Sequence, residues 1–428
     1  MRKLWLASLL LCASLMVDAQ NVELYKQTVK ALSSSKYQGR GYALGGANKA
    51  GRYLERAYRR AGVDEVVRQP FTLDINTFPA KMKMSVDRGR NRDGGSGSLT
   101  AGRDFTLREF SPGAKGNYPL YFVDTLNYNS EKLFHDLEQP LNKGAMVVCD
   151  FWFSYKHKDD FARLQLGGGA PNAGLIYTWN EPLKFYKAYG EKVIDKPVFW
   201  VLDDCIKGGK RVSVNVDNKF YKDYECFNVI AKVAGERSDS CFMFTAHYDH
   251  LGNLGRRVYY PGANDNASGS AALVTLAEYF SQHRPKFDIY FVAFSGEDAN
   301  LRGSTWFVNH PVVPLERIKY LFNIDMIGDN NRVLYCETSD AGLPGFQKFQ
   351  AINARKGYFE ALNRGKLAAN SDHYPFAERQ VPCIFFMNEK GDAFQYYHTP
   401  QDDWQHAIFD SYEPVFRLVV DFIASEAY

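Results

Sequence analysis

The feature that most restricts the fold is a series of apolar runs in the second half of the chain. FDIYFVAFS, IKYLFNIDM and VPCIFFMN are apolar along most of their length, which is typical of strands that are covered on both faces of a sheet. The run ASGSAALVTLAEYF is apolar almost all round and predicts a helix buried against that sheet. Alternating strands and helices therefore predict an α/β sandwich with a mainly parallel central sheet.

The length of the chain indicates more than one structural unit. At 428 residues it exceeds the ~100–200 residues of a usual domain. Near the start, Asn48 to Ala61 has helical spacing and ends at Gly62. We predict a division into a signal peptide (1–19), a first part of the main domain (20–99), a β-rich insertion (100–220) and a second part of the main domain (221–428).

The insertion is predicted from short strands such as GAMVVCDF, GLIYTW and RVSVNV, which Gly, Pro, Asn and Asp separate. It resembles a protease-associated (PA) domain through Lys143-Gly144, a polar helix, Gly167 to Gly169 and the GLIYTW strand. His135 and His157 have no acidic or histidine partner at ligand spacing, so they are interpreted as surface residues.

The N-terminus predicts export to the periplasm or the cell exterior. Arg2 and Lys3 precede an apolar run that ends at Val17, and Val17-Asp18-Ala19 fits a signal peptidase site. The run is shorter than the ~20 residues that span a bilayer, and no later segment approaches that length, so no stable membrane anchor is expected.

Charge and cysteine content limit the remaining possibilities. A formal net charge of +3 gives no support to nucleic-acid binding. The predicted mature chain keeps six cysteines, several of them inside apolar runs such as VVCDF and VPCIFF. Buried free thiols are therefore the favoured interpretation, although the sequence leaves disulfide pairing open.

Residues that can bind metal are concentrated in TAHYDH, GANDNASG, FSGEDANLRGS and NIDMIG, with YYHTPQDD further along the chain. They supply two histidines and several carboxylates, the ligands that a pair of zinc-like ions requires. His247, Glu297 and Asp325 lie at the ends of predicted strands, where ligands bind in such sheets. Asp265 lies in a glycine-flanked loop before the buried helix, so we expect it at the same edge.

These motifs, in this order and at these intervals, resemble the M28 family of zinc-dependent exopeptidases, which have a phosphorylase/hydrolase-like α/β fold. The resemblance covers about residues 25–90 and 221–428. It implies an aminopeptidase that hydrolyses N-terminal residues from peptides with two Zn²⁺ ions. The implied roles are: His247 and Asp325 on one ion, Asp298 and His398 on the other, Asp265 between the ions, Glu297 as general base, and Asp249 and Asp402 as supporting acids.

The implied mechanism uses an activated water. Two ions ~3.5–4 Å apart lower the pKa of a shared water and stabilise the oxyanion. Glu297 would take the proton of this water and return it to the leaving amine. Tyr397, beside His398, is a candidate donor to the oxyanion, with a structural tyrosine as the alternative. Asp249 is expected to orient His247, because i and i+2 share a strand face.

Two further expectations come from comparison with the family pattern. Where the family often has two glutamates, this chain has Glu297-Asp298, and the shorter Asp298 moves an ion toward the backbone. The resemblance also implies a cis peptide bond between Asp265 and Asn266. His250 is interpreted as packing beside the ligands, and Asp372-His373 is expected to line the pocket.

Two alternatives to the aminopeptidase remain from sequence. A glutaminyl cyclase shares the fold but uses one zinc, whereas the full GANDNASG loop and both ligand histidines favour two. A catalytically inactive binding ectodomain would carry degenerate ligands, which are not seen here. The insertion is expected to cover the cleft and limit substrate size. Side-chain preference and oligomeric state stay open.

Overall fold

The structure is a computed structural model that describes residues 22–89, 97–167, 169–185, 187, 190–388 and 391–426. The predicted signal peptide lies outside these residues. Within them, no helix combines the length and the apolar character that crossing a membrane requires.

Strands are distributed along the whole described chain. In chain order they are β1 (Glu65–Thr77), β2 (Met82–Asp87), β3 (Gly97–Leu99), β4 (Phe105–Leu107), β5 (Ala114–Phe122), β6 (Met146–Asp150), β7 (Gly174–Trp179), β8 (Val198–Leu202), β9 (Arg211–Val216), β10 (Lys219–Val233), β11 (Arg237–His247), β12 (Asn253–Leu254), β13 (Val258–Tyr259), β14 (Phe287–Phe294), β15 (Ile318–Ile324), β16 (Val333–Thr338), β17 (Ala361–Gly365) and β18 (Cys383–Asn388).

The α-helices lie mainly before β1 and between the later strands. They are α1 (22–32), α2 (Gly46–Ala61), α3 (Ser130–Glu138), α4 (Phe151–Lys156), α5 (Lys158–Gln165), α6 (Asp203–Ile206), α7 (Gly269–Gln282), α8 (Arg302–Asn309), α9 (Leu343–Lys356), α10 (Tyr374–Glu378) and α11 (Tyr412–Ser425). Gly62 ends α2 in the left-handed conformation, as predicted, with a φ of 82°.

The main sheet has eight strands in the order β1-β10-β14-β11-β15-β18-β16-β17. The central strands β14, β11, β15 and β18 are parallel. On one side, β1, β10 and β14 pair antiparallel. On the other side, β16 is antiparallel to β18 and parallel to β17. The α/β class is therefore confirmed, and the parallel character belongs chiefly to the centre of a mixed sheet.

Alternate side chains of β11 enter two different apolar clusters, one on each face of the sheet. Phe242 and Phe244 pack in the cluster that includes residues of α2, α7, α9 and α11. Met243 belongs to the other cluster, together with Phe307 of α8 and Phe376 of α10. Since successive strand residues point to opposite faces, helices cover both faces of the central strands. This explains the unbroken apolar sequence of these strands.

A second eight-stranded sheet has the order β3-β2-β9-β5-β6-β7-β8-β4. The chain leaves the main sheet after β1 and returns at β10, where Thr77 and Lys219 are paired. β2 joins the second sheet because its buried Met84 and Val86 pair with Val214 and Val212 of β9. The second sheet thus includes strands that precede residue 100, where the sequence placed the start of the insertion.

All six cysteines of the described residues are unpaired, and Cys205 alone among them is not buried. This agrees with the interpretation of buried free thiols.

Candidate metal centre

The candidate ligands meet at the carboxyl ends of three adjacent parallel strands. His247 ends β11, Asp325 directly follows β15, and Glu297 follows β14 after a short turn. Gly296 makes this turn with a φ of 80°, in the left-handed region that favours glycine. The sequence pattern predicted this placement, because parallel strands present their carboxyl ends at one edge.

Asp265 lies between the two ligand histidines. Its Oδ1 atom is 3.3 Å from His247 Nε2, and its Oδ2 atom is 3.0 Å from His398 Nε2. The residue lies in a turn of π-helix, Ala263–Ser268, and its peptide bond with Asn266 is cis, as the resemblance implied. Each carboxylate oxygen therefore faces a different imidazole.

The residues on the His247 side fit a cation. One ligand atom from each of His247, Glu297 and Asp325 lies within 4.8 Å of the others, and His247 Nε2 is 3.5 Å from Asp325 Oδ1. Asp325 Oδ1 is buried and has no hydrogen-bond partner among the described residues, whereas Ser371 donates to Oδ2 at 2.8 Å. A bare buried carboxylate oxygen is costly unless a cation compensates it, and imidazole with carboxylate suits zinc.

Asp298 is hydrogen-bonded to His250, for which the sequence favoured packing beside the ligands and left direct contact with the site open. His250 Nδ1 lies 3.0 Å from Asp298 Oδ2 and 3.8 Å from Asp265 Oδ2, and the histidine is fully buried. Its ring centroid is 5.8 Å from that of His398. The signal that could have identified it was a histidine directly after HYD in a chain whose second acid is shortened.

Asp249 supports the site differently from the prediction. Its carboxylate accepts hydrogen bonds from the Tyr42 hydroxyl at 2.6 Å and from the Glu297 amide at 3.2 Å. His247 Nδ1 is closer to the main-chain oxygen of Asp249, at 3.2 Å, than to its carboxylate, at 3.9 Å. The i, i+2 relation fails because β11 ends at His247. Asp249 therefore fixes the backbone of Glu297 more directly than the ring of His247.

Asp402 and Arg40 hold the loop that carries Asp265. The Asp402 carboxylate accepts hydrogen bonds from the amides of Asn264 at 2.8 Å and Asp265 at 3.0 Å. Fully buried Arg40 donates to five main-chain oxygens, those of Leu32, Tyr248, Pro261, Gly262 and Asp265. The sequence marked Asp402 but not Arg40, since a single arginine in QGRGY has no ligand-like neighbourhood.

Burial and neighbouring charges set the protonation of the acids. Burial, together with the negative charge of Asp298, raises the pKa of Glu297 well above its usual range. Burial acts in the same direction on Asp265, but the positive charge of His250 and hydrogen bonds from His247 and His398 outweigh it and hold the pKa of Asp265 well below its usual range. Asp265 is therefore suited to bind cations, and Glu297 to hold a proton.

Asp372 and His373 do not line an open pocket, contrary to the expectation, because both are fully buried. They lie behind the ligands. Burial raises the pKa of Asp372 to about 7, and both of its carboxylate oxygens have no hydrogen-bond partner among the described residues.

Tyr397 and the segment between β7 and β8 lie on the His398 side of the centre. The Tyr397 and His398 rings stack with centroids 3.7 Å apart. Burial and the charge of Asp265 raise the pKa of Tyr397 well above its usual value, so its hydroxyl keeps its proton at neutral pH. The Phe185 amide donates to the main-chain oxygen of His398 at 3.1 Å. The segment between β7 and β8 thus contacts the site.

Comparison with known proteins gives a family match and relatives of similar sequence. Residues 228–423 match the model of Peptidase family M28. Over 169 residues the chain is 31% identical to aminopeptidase YwaD of Bacillus subtilis, which is 38% of this chain and only 36% of that protein.

Two solved structures resemble the whole fold. The structure of BSAP, a zinc aminopeptidase from Bacillus subtilis, has a TM-score of 0.68 at 21% identity and covers 95% of both chains. That of Porphyromonas gingivalis glutaminyl cyclase has a TM-score of 0.52 at 13% identity, and covers 95% of this chain and 98% of the other. At these identities the likeness concerns the fold alone.

Proposed function

Residues 228–423 belong to peptidase family M28, and from this premise we propose that the protein is a zinc-dependent aminopeptidase. It removes N-terminal residues from peptides with two zinc ions. The observation that supports this best is the position of Asp265, whose two oxygens face His247 and His398 separately. One carboxylate between two imidazoles is the arrangement that a pair of ions requires.

The ligands fall into two groups around Asp265. His247 and Asp325 would hold one ion, and His398 and Asp298 would hold the other. His250 positions Asp298 by donating from Nδ1 to Oδ2, and Oδ1 would then be available to the ion. Hydrogen bonds to the outer atom of a ligand fix its orientation and raise affinity, so His250 compensates for the shorter aspartate arm.

The bound zinc ions would lower the pKa of a water and polarise the substrate carbonyl. Glu297 accepts the proton of the attacking water and delivers it to the leaving nitrogen. The Tyr397 hydroxyl, protonated at neutral pH, donates to the oxygen that gains negative charge.

We extend the proposal to the parts of the molecule outside the metal centre. Residues 1–19 direct export to the periplasm or the exterior. The second sheet belongs to a PA-like inserted domain, and the main sheet is the centre of a three-layer sandwich. The contact between Phe185 and His398 supports a role for the insertion in covering the cleft and limiting substrate size.

A glutaminyl cyclase is the second candidate, because His247, Glu297 and Asp325 form the one close group of three potential ligands among the described residues. It predicts one tightly held ion and cyclisation of peptides that begin with Gln. The aminopeptidase predicts two ions at saturation. Metal analysis of the purified protein, with assays on both substrate classes, separates the two.

The decisive experiment is a screen of aminoacyl-p-nitroanilides with and without a chelator. We expect hydrolysis that the chelator abolishes and zinc restores. If no aminoacyl substrate is hydrolysed by the zinc-loaded protein, the proposal is wrong and a binding ectodomain gains support.

Glu297→Gln tests the general base. The amide cannot accept the proton, so turnover should fall by at least ~100-fold, while metal content stays near that of the wild type. Near-normal turnover would remove the assignment.

Asp265→Ala tests the residue between the ions. Loss of both carboxylate oxygens should lower zinc content, measured by elemental analysis after dialysis. An unchanged stoichiometry in a folded variant would contradict the bridging role.

A further inference from the structure

A cavity of about 470 Å³ lies at the boundary between the second sheet and the metal centre. Four aromatic residues of the second-sheet region line it, together with two residues of the segment that reaches His398. These are Phe151, Trp152, Trp179, Trp200, Lys184 and Phe185. Its size is that of a pocket for a small ligand or a few residues of a peptide.

The aromatic rings form a connected surface. The Phe151 ring lies 4.6 Å from that of Trp200 and 5.7 Å from that of Trp179, and Trp152 lies 5.9 Å from Trp179. Trp152 nevertheless remains 59% exposed. Exposed tryptophan beside a cavity is costly to hydrate and offers a large contact area to an apolar ligand.

Two residues of the cavity wall contact residues on the His398 side of the candidate metal centre. Lys184, on its wall, places Nζ 5.4 Å from the centre of the Tyr397 ring, and Tyr397 stacks on His398. Phe185, the next residue on the wall, donates its amide proton to the oxygen of His398. The cavity is thus one residue contact away from the His398 side of the centre.

The charge of the lining favours some side chains over others. Arg108, Lys184 and Lys187 are basic, and Glu109 is acidic. Arg108 and Glu109 form an ion pair of 3.4 Å. The remaining lysines disfavour a basic side chain in the cavity.

We propose that this cavity binds an apolar, preferably aromatic, side chain of the peptide substrate downstream of the cleaved bond. The proposal rests on the proposed aminopeptidase function. An aminopeptidase substrate has no residues before the first one, so every residue after the first lies on the leaving side of the cleaved bond. The second-sheet region would thus select peptides by their internal sequence.

The test uses pentapeptides and hexapeptides that start with the residue cleaved fastest as a p-nitroanilide. Phe is placed in turn at positions two to six of an otherwise Ala sequence, and each peptide is compared with its Ser counterpart. At one position we expect kcat/KM to be about 10-fold higher for Phe than for Ser, since burial of an aromatic side chain has at least this effect. Lys at that position should be poorer than Ser.

Trp152→Ala and Trp200→Ala should each remove most of the preference for Phe. Tyr155→Ala is the matched control, because Tyr155 is 67% exposed on the same helix as Trp152 and does not line the cavity. Hydrolysis of the p-nitroanilide should be unchanged in all three variants. Calorimetric binding of the Phe peptide to Glu297→Gln, with and without Trp152→Ala, measures the same effect without turnover.

The outcomes separate the two proposals. If Phe has no effect at any position, or if both tryptophan variants keep the full preference, the cavity is not a substrate site. A parallel fall in p-nitroanilide hydrolysis would show that the tryptophans act on the fold and would also overturn it. Absence of any p-nitroanilide hydrolysis by the wild type would instead contradict the aminopeptidase function.

Discussion

Single residues decide how the Asp298 side of the centre is built. The shortened acid could be predicted from the letters GED, but its hydrogen bond with His250 depends on how the turn after β14 meets the chain after β11. Arg40 was missed for a similar reason, because its five acceptors are main-chain atoms from distant segments. Motif letters identify ligands, whereas residues that position them become visible only in three dimensions.

His250→Ser should weaken binding of the second zinc ion by about 10- to 100-fold, the usual effect of losing a hydrogen bond to a metal ligand. His250→Asn should retain most of the affinity, because its amide nitrogen can replace Nδ1 as the donor. The zinc affinity of both variants is measured by competition with a chelator while the first ion stays bound. Equal affinity in the serine variant and the wild type would show that Asp298 needs no such support.

Elements could be predicted better than their pairing. The apolar runs predicted the central strands and α7, and they also predicted that ligands would follow the strands. They did not indicate that β10 and β16 run antiparallel to their central neighbours, since apolar sequence reports burial and not direction. The sequence also did not predict where the second sheet begins, because β2 is a short alternating strand that could pair in either sheet.

The contact between α7 and β15 is predicted to be intolerant of added volume. A methyl group on Gly269, the first residue of α7, would overlap the carbonyl oxygen of Ile324 and the side chain of Asn266. Gly269→Ala should therefore lower stability by about 1–3 kcal/mol and reduce zinc content, because Ile324 precedes Asp325.

Gly97→Ala is the control for this substitution, since its added methyl group would lie 3.4 Å from the nearest atom, Nη1 of Arg88. Thermal unfolding of the two variants measures the difference. If both variants unfold at the temperature of the wild type, the contact between α7 and β15 is looser than the structure indicates.

At the scale of the whole molecule, the C-terminal helix is joined to the main sheet and its neighbouring helix by a small charge cluster. Glu426 accepts hydrogen bonds from Lys348 of α9 and pairs with Lys319 of β15 at 3.0 Å. Burial by itself would raise the pKa of Glu426, but the two lysines lower it below its ordinary value of 4.5.

A lowered pKa in the folded state stabilises the protein above the ordinary pKa, and this stabilisation is lost as pH falls through the folded value. Lys348→Ala should therefore lower stability at pH 7 by about 0.5–1 kcal/mol. The difference from the wild type should disappear near pH 3. Melting temperatures at the two pH values test this, with Lys222→Ala, at an exposed site on β10, as control. A difference that persists in acid would contradict the charge effect.

The pairing of Thr77 with Lys219 has a consequence for how a chain of this fold diversifies. The chain returns to the place from which it departed, so the intervening segment can lengthen, shorten or be exchanged while every strand that carries a candidate ligand stays where it is. Selection on what reaches the candidate centre can then proceed without disturbing the centre itself.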